Sequence, residues 1–194
     1  MIRRLLLLVC GLCSVVLMAG LWIPVKAVLA QEMLALAWAE SQARQTETRP
    51  WPWADTWPVA RLALPEQGVS MIVLEGLHGE SLAFGPGRML VGERGPLILA
   101  GHRDTHFRHL RHVEQGHRVR LQGLDQRWQE YRVTRARVVD SRREVIDTGE
   151  FGPGTLLLVT CYPFDALETQ GPLRFVVEAR PVNVQVQNDT VAAL

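Results

Sequence analysis

The chain has 194 residues, 47% of them apolar, and a formal charge of +1. That length holds one sizeable core with additions, and the near-neutral charge speaks against a nucleic-acid partner or a polybasic membrane patch. Of the three cysteines, Cys10 and Cys13 lie in an N-terminal apolar run and Cys161 stands alone in everything after it, which excludes a disulfide within the folded domain.

Residues 5 to 23, "LLLLVCGLCSVVLMAGLWI", carry no charge. As a helix rising ~1.5 Å per residue they just cross a ~30 Å hydrocarbon core. Arg3 and Arg4 precede them; by the positive-inside rule that end stays cytoplasmic, the rest is exported and Trp22 meets the outer interface. Residues 1–24 are therefore expected to be a transmembrane signal anchor. A cleaved signal peptide is the alternative, because "VLA" at 28–30 offers small residues to a peptidase. The apolar run exceeds the usual h-region of about 7–15 residues, which favours the anchor. Cys10 and Cys13, spaced C-x-x-C in an apolar helix, read as small hydrophobic filler.

Residues 25–48 read as a helix, with Val28, Met33, Leu34, Ala37 and Trp38 interleaved with Gln31, Glu32, Glu40 and Arg44. "RPWPWADTWPVARL", 49–62, follows, and its three prolines forbid a regular helix. Trp51, Trp53 and Trp57 ask for burial or a membrane interface. An arm wrapped on the domain is the preferred reading, lipid contact the second. Residues 25–60 thus form a helical stalk and a Trp/Pro-rich arm.

Beyond Arg61 the signals are β. Strands are expected at 61–64, 69–74, 96–101, 117–122, 127–139, 155–161 and 173–179, from Val, Ile and Leu runs punctuated by Gly and Pro. "SLAFGPG", 81–87, reads as a short helical turn. Residues 117–139 look like a hairpin, because Arg118, Arg120, Gln129 and Arg132 alternate with Val119, Leu121, Tyr131 and Val133. Seven or eight short strands suggest a mainly β domain, a closed barrel or a sandwich, over residues 61–181, with a tail at 182–194.

"LLLVTCYPF", 156–164, raises the chemical question, since a buried strand ends on an unpaired thiol in an exported domain. Free cysteine has a pKa near ~8.5, so it acts as a nucleophile only with a partner that takes its proton. Five of the six histidines fall at 102, 106, 109, 112 and 117. His102 is distinguished because it follows the apolar run "PLILAG" at a strand end, and Gly101 permits a turn or a close approach. His106, His109 and His112 read as a solvated turn or loop. His102 and His106 are spaced i, i+4, which suits a metal on a helix, but the strand and Gly101 ahead of them argue against a helix there. No cofactor and no metal is called for. Arg174, alone among Leu173, Phe175, Val176 and Val177, needs a partner or a task, and a fixed cationic fork suits a developing oxyanion. By alternation alone, an edge arginine facing solvent fits equally.

"LAGHRDTHF" at 99–107, "LLVTCYPF" at 157–164 and "LRF" at 173–175 resemble the sortase family of cysteine transpeptidases. With the arm and the anchor, the pattern is similar to the sortases of Gram-negative proteobacteria. The resemblance implies an eight-stranded β-barrel. It implies that Cys161 attacks the Thr–Gly bond of a C-terminal LPxTG-type sorting signal, and that an amine acceptor resolves the thioacyl enzyme. His102 would be general acid and then base, Arg174 would hold substrate and stabilise the oxyanion, and Thr160 would shape the oxyanion site. The family's pattern often has Thr where Leu157 stands, and Leu157 is expected to point into the core. The implied partners are a substrate protein carrying the signal, the amine and the inner membrane, with the barrel periplasmic. The same residues with water in place of the amine make a hydrolase. An inactive periplasmic barrel that binds peptides is the reading from a different class.

Overall fold

A computed structural model describes residues 2–92, 95–144, 148–166 and 171–182. One helix, α1, runs unbroken over Ile2–Arg44 with Pro24 inside it. It thus passes straight through the expected division at residue 24. Its first half is long and apolar enough to span a membrane by length and composition. Its second half buries Ala30, Leu34, Ala37, Trp38 and Ser41. That i, i+4, i+7, i+8, i+11 stripe is the face of an amphipathic helix laid on a core. The helix stops at Arg44, short of the expected residue 48, because Gln45 turns left-handed at φ 53°. Ser41 secures the turn: its carbonyl accepts from Thr46 N at 3.2 Å and its hydroxyl from Thr48 N at 3.0 Å.

The arm is wrapped on the domain over part of its length. Ala54 and Thr56 are fully buried, and Thr56 Oγ1 donates to the Glu75 carbonyl at 2.8 Å. Trp57 packs on the core and Trp51 meets Phe84 edge-on at 5.1 Å. Trp53 is 80% exposed.

Eight strands follow: β1 Pro58–Leu64, β2 Val69–Glu75, β3 Gly87–Leu90, β4 Leu97–Ala100, β5 Arg118–Gln122, β6 Trp128–Asp140, β7 Leu156–Cys161 and β8 Leu173–Pro181. They close into a barrel in the order β1-β2-β3-β4-β7-β8-β6-β5. Two neighbouring pairs, β2/β3 and β4/β7, are parallel. Closure leaves no sheet edge to protect. The expected 117–139 hairpin is β5/β6, with Arg118 opposite Arg132 and Gln122 opposite Trp128.

β3 was absent from the expected strands, and β1 starts three residues earlier than expected. A short helix, α2 Gly79–Phe84, crosses from β2 to β3. At Gly87 a Cβ would meet the Gly76 carbonyl at 2.1 Å, so glycine is what lets β3 close against the crossover.

Side chains alternate across the wall. Leu62, Leu64, Val73, Leu99, Val119, Val133, Leu156, Leu158 and Val177 fill the interior. Each fully buried leucine contributes roughly 1.5–3 kcal/mol of transfer free energy. Leu157 is also fully buried but sits at the opposite parity to Leu156 and Leu158, outside that interior cluster. It is buried in a core as expected, on the opposite face of the wall from the barrel interior.

Candidate active site

Cys161 is the last residue of β7 and Arg174 the second of β8, and the antiparallel register sets them directly opposite each other. Opposed residues share a face, with Cβ atoms typically ~4.5–5.5 Å apart. Leu156, Leu158, Phe175 and Val177 point inward or pack on the core, so the alternation sends Cys161 and Arg174 to the outer face. The hydrophobic core therefore fixes the backbone of both residues while their side chains lie outside it. Arg174 is also opposite Val139 of β6. Its Nη1 donates to the carbonyls of Gly171 at 2.7 Å and Leu173 at 2.9 Å. Among the described residues Nη2 and Nε have no hydrogen-bond partner, which leaves that edge of the fork available.

His102 arrives by a parallel route. β4 lies beside β7, with Ala100 opposite Val159, and Gly101 N donates to the Val159 carbonyl at 3.2 Å. Thr160, 3% exposed, donates its hydroxyl to the Gly101 carbonyl at 2.7 Å. The residue before the thiol is thus tied to the residue before the imidazole. Three strand ends, of β4, β7 and β8, carry His102, Cys161 and Arg174 to one end of the barrel, with Thr160 between them.

The loop after His102 is held rather than free. Phe107 N donates to the His102 carbonyl at 3.0 Å, and Phe107 and Leu110 are fully buried. The Phe107 ring lies over Gly101, where a Cβ would come within 3.1 Å of it. His102 itself is exposed. His106, expected to be solvated, is half-buried near the Ala83 backbone. Burial pushes its imidazole below the ordinary value, the nearby Ala83 backbone opposes this, and His102 acts in the same direction as burial. His112 is exposed and His109 partly so.

Arg103 is the residue that sequence reasoning passed over. Its side chain is 4% exposed. Nη1 donates to the Pro163 carbonyl at 2.8 Å and Nη2 to the Ala166 carbonyl at 2.7 Å. It joins the loop beginning at His102 to the loop leaving Cys161. Arg111 adds a second tie, to Asp165 at 2.9 Å. Beside the thiol, Tyr162, Phe164 and Phe175 form an aromatic cluster with ring centroids 5.3 to 6.3 Å apart. Residues 145–147 and 167–170 lie outside the described residues.

A fold of eight strands with Cys, His and Arg at adjoining strand ends defines the class to which comparison leads. The sortase domain model matches residues 62–182. Sortase D of Bacillus subtilis (strain 168) is 30% identical over 125 residues, and the match spans 62% of this chain and 62% of that relative's length. Among solved structures, sortase A from Corynebacterium diphtheriae superposes with a TM-score of 0.56 at 19% identity, over 70% of this chain and 66% of that one. A Clostridium perfringens sortase D5 transpeptidase gives 0.54 at 19% identity, over 79% and 96%. These structural likenesses support the fold. The chain belongs to the sortase family.

Proposed function

We propose that the protein is a membrane-anchored cysteine transpeptidase acting on a C-terminal sorting signal of the LPxTG type. Cys161 attacks the carbonyl carbon of the Thr–Gly bond; a C–S bond forms and the C–N bond breaks. His102 gives its proton to the departing glycine amine. An incoming amine then attacks the thioester, loses its proton to His102 and releases the Cys161 thiolate. The free edge of the Arg174 fork faces the charge that develops on the carbonyl oxygen, where one preorganised donor is worth roughly 10²–10³ in rate. Thr160 holds the spacing between the thiol and the imidazole through its bond to Gly101. The observation that carries this reading is the register that opposes Cys161 and Arg174, beside the strand end that leads to His102.

Residues 5–23 would cross the inner membrane once, with Arg3 and Arg4 cytoplasmic and the barrel periplasmic. The partners are a protein bearing the sorting signal and an amine acceptor. The full chain in lipid nanodiscs, incubated with LPxTG-type peptides and diamine or glycine nucleophiles, should yield an amine-joined product. Cleavage that yields only the free acid with every amine would favour the hydrolase. An intact panel with a Cys161 that alkylates slowly when native and fast in urea would favour the inactive barrel.

A further inference from the structure

Where the apolar half of α1 reaches the barrel, a groove of about 810 Å³ opens between three elements. Trp22, Ile23 and Leu29 of α1, Trp51 and Trp53 of the arm, and Phe84 of α2 line it. These residues are not ordinary surface: Trp53 is 80% exposed and Ile23 72%. Half of the six tryptophans of the chain gather here, and tryptophan is the side chain that prefers the boundary between water and lipid. Lys26 Nζ sits 5.2 Å from the Trp22 ring centroid, a cation placed at the lip of the groove.

The groove is continuous with the uncharged run. Trp22 and Ile23 end that run and also line the groove. The first helix residue buried on the barrel side is Ala30, seven residues beyond Ile23 and so about 10 Å further along the axis. The headgroup layer on each side of a bilayer is roughly 5–7 Å deep. With no break in α1 between Ile23 and Ala30, the barrel cannot stand far off, and the arm falls at the depth of the headgroups.

We propose that this groove is seated in the interfacial layer of the bilayer, packed by lipid glycerol and upper acyl-chain segments, with Lys26 meeting headgroup phosphate. The proposal rests on the reading of residues 5–23 as a membrane span. It makes the groove a second attachment that sets the height and tilt of the barrel. The attachment lies close to the catalytic loop: Gln31 Nε2 donates to the Phe84 carbonyl at 2.8 Å, and the neighbouring Ala83 backbone lies near His106.

The test uses the full chain with Cys10→Ser, Cys13→Ser and Cys161→Ala, carrying an environment-sensitive fluorophore on Trp53→Cys or on Pro52→Cys. The second site leaves all the tryptophans in place. The reference site is Arg127→Cys, on the turn near Gly123 and Leu124 that Gln42 of α1 and Gln45 just beyond it hold by hydrogen bonds. Gln42 lies about 30 Å along the axis from Ile23. In phosphatidylcholine–phosphatidylglycerol vesicles, nitroxides on the lipid headgroup or at acyl carbon 5 should quench the probe at 52 or 53 severalfold more than at 127, and nitroxide at carbon 12 should quench it less. A probe at both sites that no lipid nitroxide quenches overturns the proposal. If iodide then quenches it, the groove is open to water; if iodide does not, a protein segment fills it. Alkaline extraction separates the two readings. A chain that stays with the vesicles but shows no lipid quenching loses only the groove proposal, whereas a chain that is extracted loses the membrane span as well.

Discussion

Replacing Arg103 by lysine keeps the charge and removes the fork. The guanidinium reaches the Pro163 and Ala166 carbonyls at 2.8 and 2.7 Å from its two terminal nitrogens. A single ammonium carries all its donors on one nitrogen and does not reproduce the two-nitrogen fork that meets these acceptors. Hydrogen bonds from a charged donor contribute about 1.5–3 kcal/mol each, so the lysine variant should lose about that much. Arg103→Ala forfeits both bonds and leaves two carbonyls facing a cavity, for about 3–5 kcal/mol. The ion pair to Asp104 adds little, since that carboxylate is 60% exposed, and Asp104→Asn should cost under about 1 kcal/mol. Urea unfolding of the full chain in detergent reads these losses as shifts in midpoint at constant slope. Peptide kinetics read the second effect: the carbonyls held by Arg103 follow Cys161 by two and five residues, so a loosened loop should lower kcat more than it raises KM. Wild-type midpoint and wild-type kcat in Arg103→Lys would refute the reasoning.

Arg174→Ala should lower kcat by on the order of 10²-fold, the usual loss for one oxyanion donor, and a variant turning over at the wild-type rate removes Arg174 from the chemistry. His102→Ala should be nearly inactive in the same assay, while His109→Ala and His112→Ala keep activity. Trp38→Ala should destabilise the chain by about 3–5 kcal/mol in urea, because this side chain is 2% exposed where α1 meets the barrel. Trp38→Phe should cost far less, since the buried Nε1 has no hydrogen-bond partner among the described residues to lose. Burial holds the folded His106 below its ordinary value of 6.5, so the unfolded chain binds more protons there. Its contribution to stability is present above about 6.5 and declines as pH falls toward the folded value; His106→Asn should flatten that slope in urea midpoints measured against pH.

Most of the barrel was legible in the sequence because its strands alternate or run apolar between glycines and prolines. β7 announced itself by three leucines, and the β5/β6 hairpin by its arginines alternating with Val119, Tyr131 and Val133. β3 escaped because its four residues include Gly87 and the charged Arg88, and they pair in parallel with residues that precede a helical crossover. The expected division at residue 24 follows the end of the uncharged run; α1 continues through Pro24, and its packing from Ala30 onward carries it to Arg44. The candidate residues stand out in the sequence as strand ends. That Cys161 and Arg174 share a face follows from the β7/β8 register, which no local pattern encodes. Arg103 read as one more charge in "GHRDTHF" because its acceptors lie 60 and 63 residues away in the chain. Leu157 is buried as its apolar character suggests, while its parity with Cys161, which places it on the other face of the wall from Leu156 and Leu158, follows only from the strand.

The central claim is that Cys161 forms an acyl bond with a sorting signal and passes it to an amine. Intact-mass spectrometry of the full chain in nanodiscs, with LPxTG-type peptides and without added amine, tests it most directly. The expected result is an adduct of the acyl fragment ending at threonine, located on Cys161, absent from Cys161→Ala and discharged into a joined product when amine is added. Cleavage of the peptide by Cys161→Ala at the wild-type rate, with no adduct on the native chain, would contradict it.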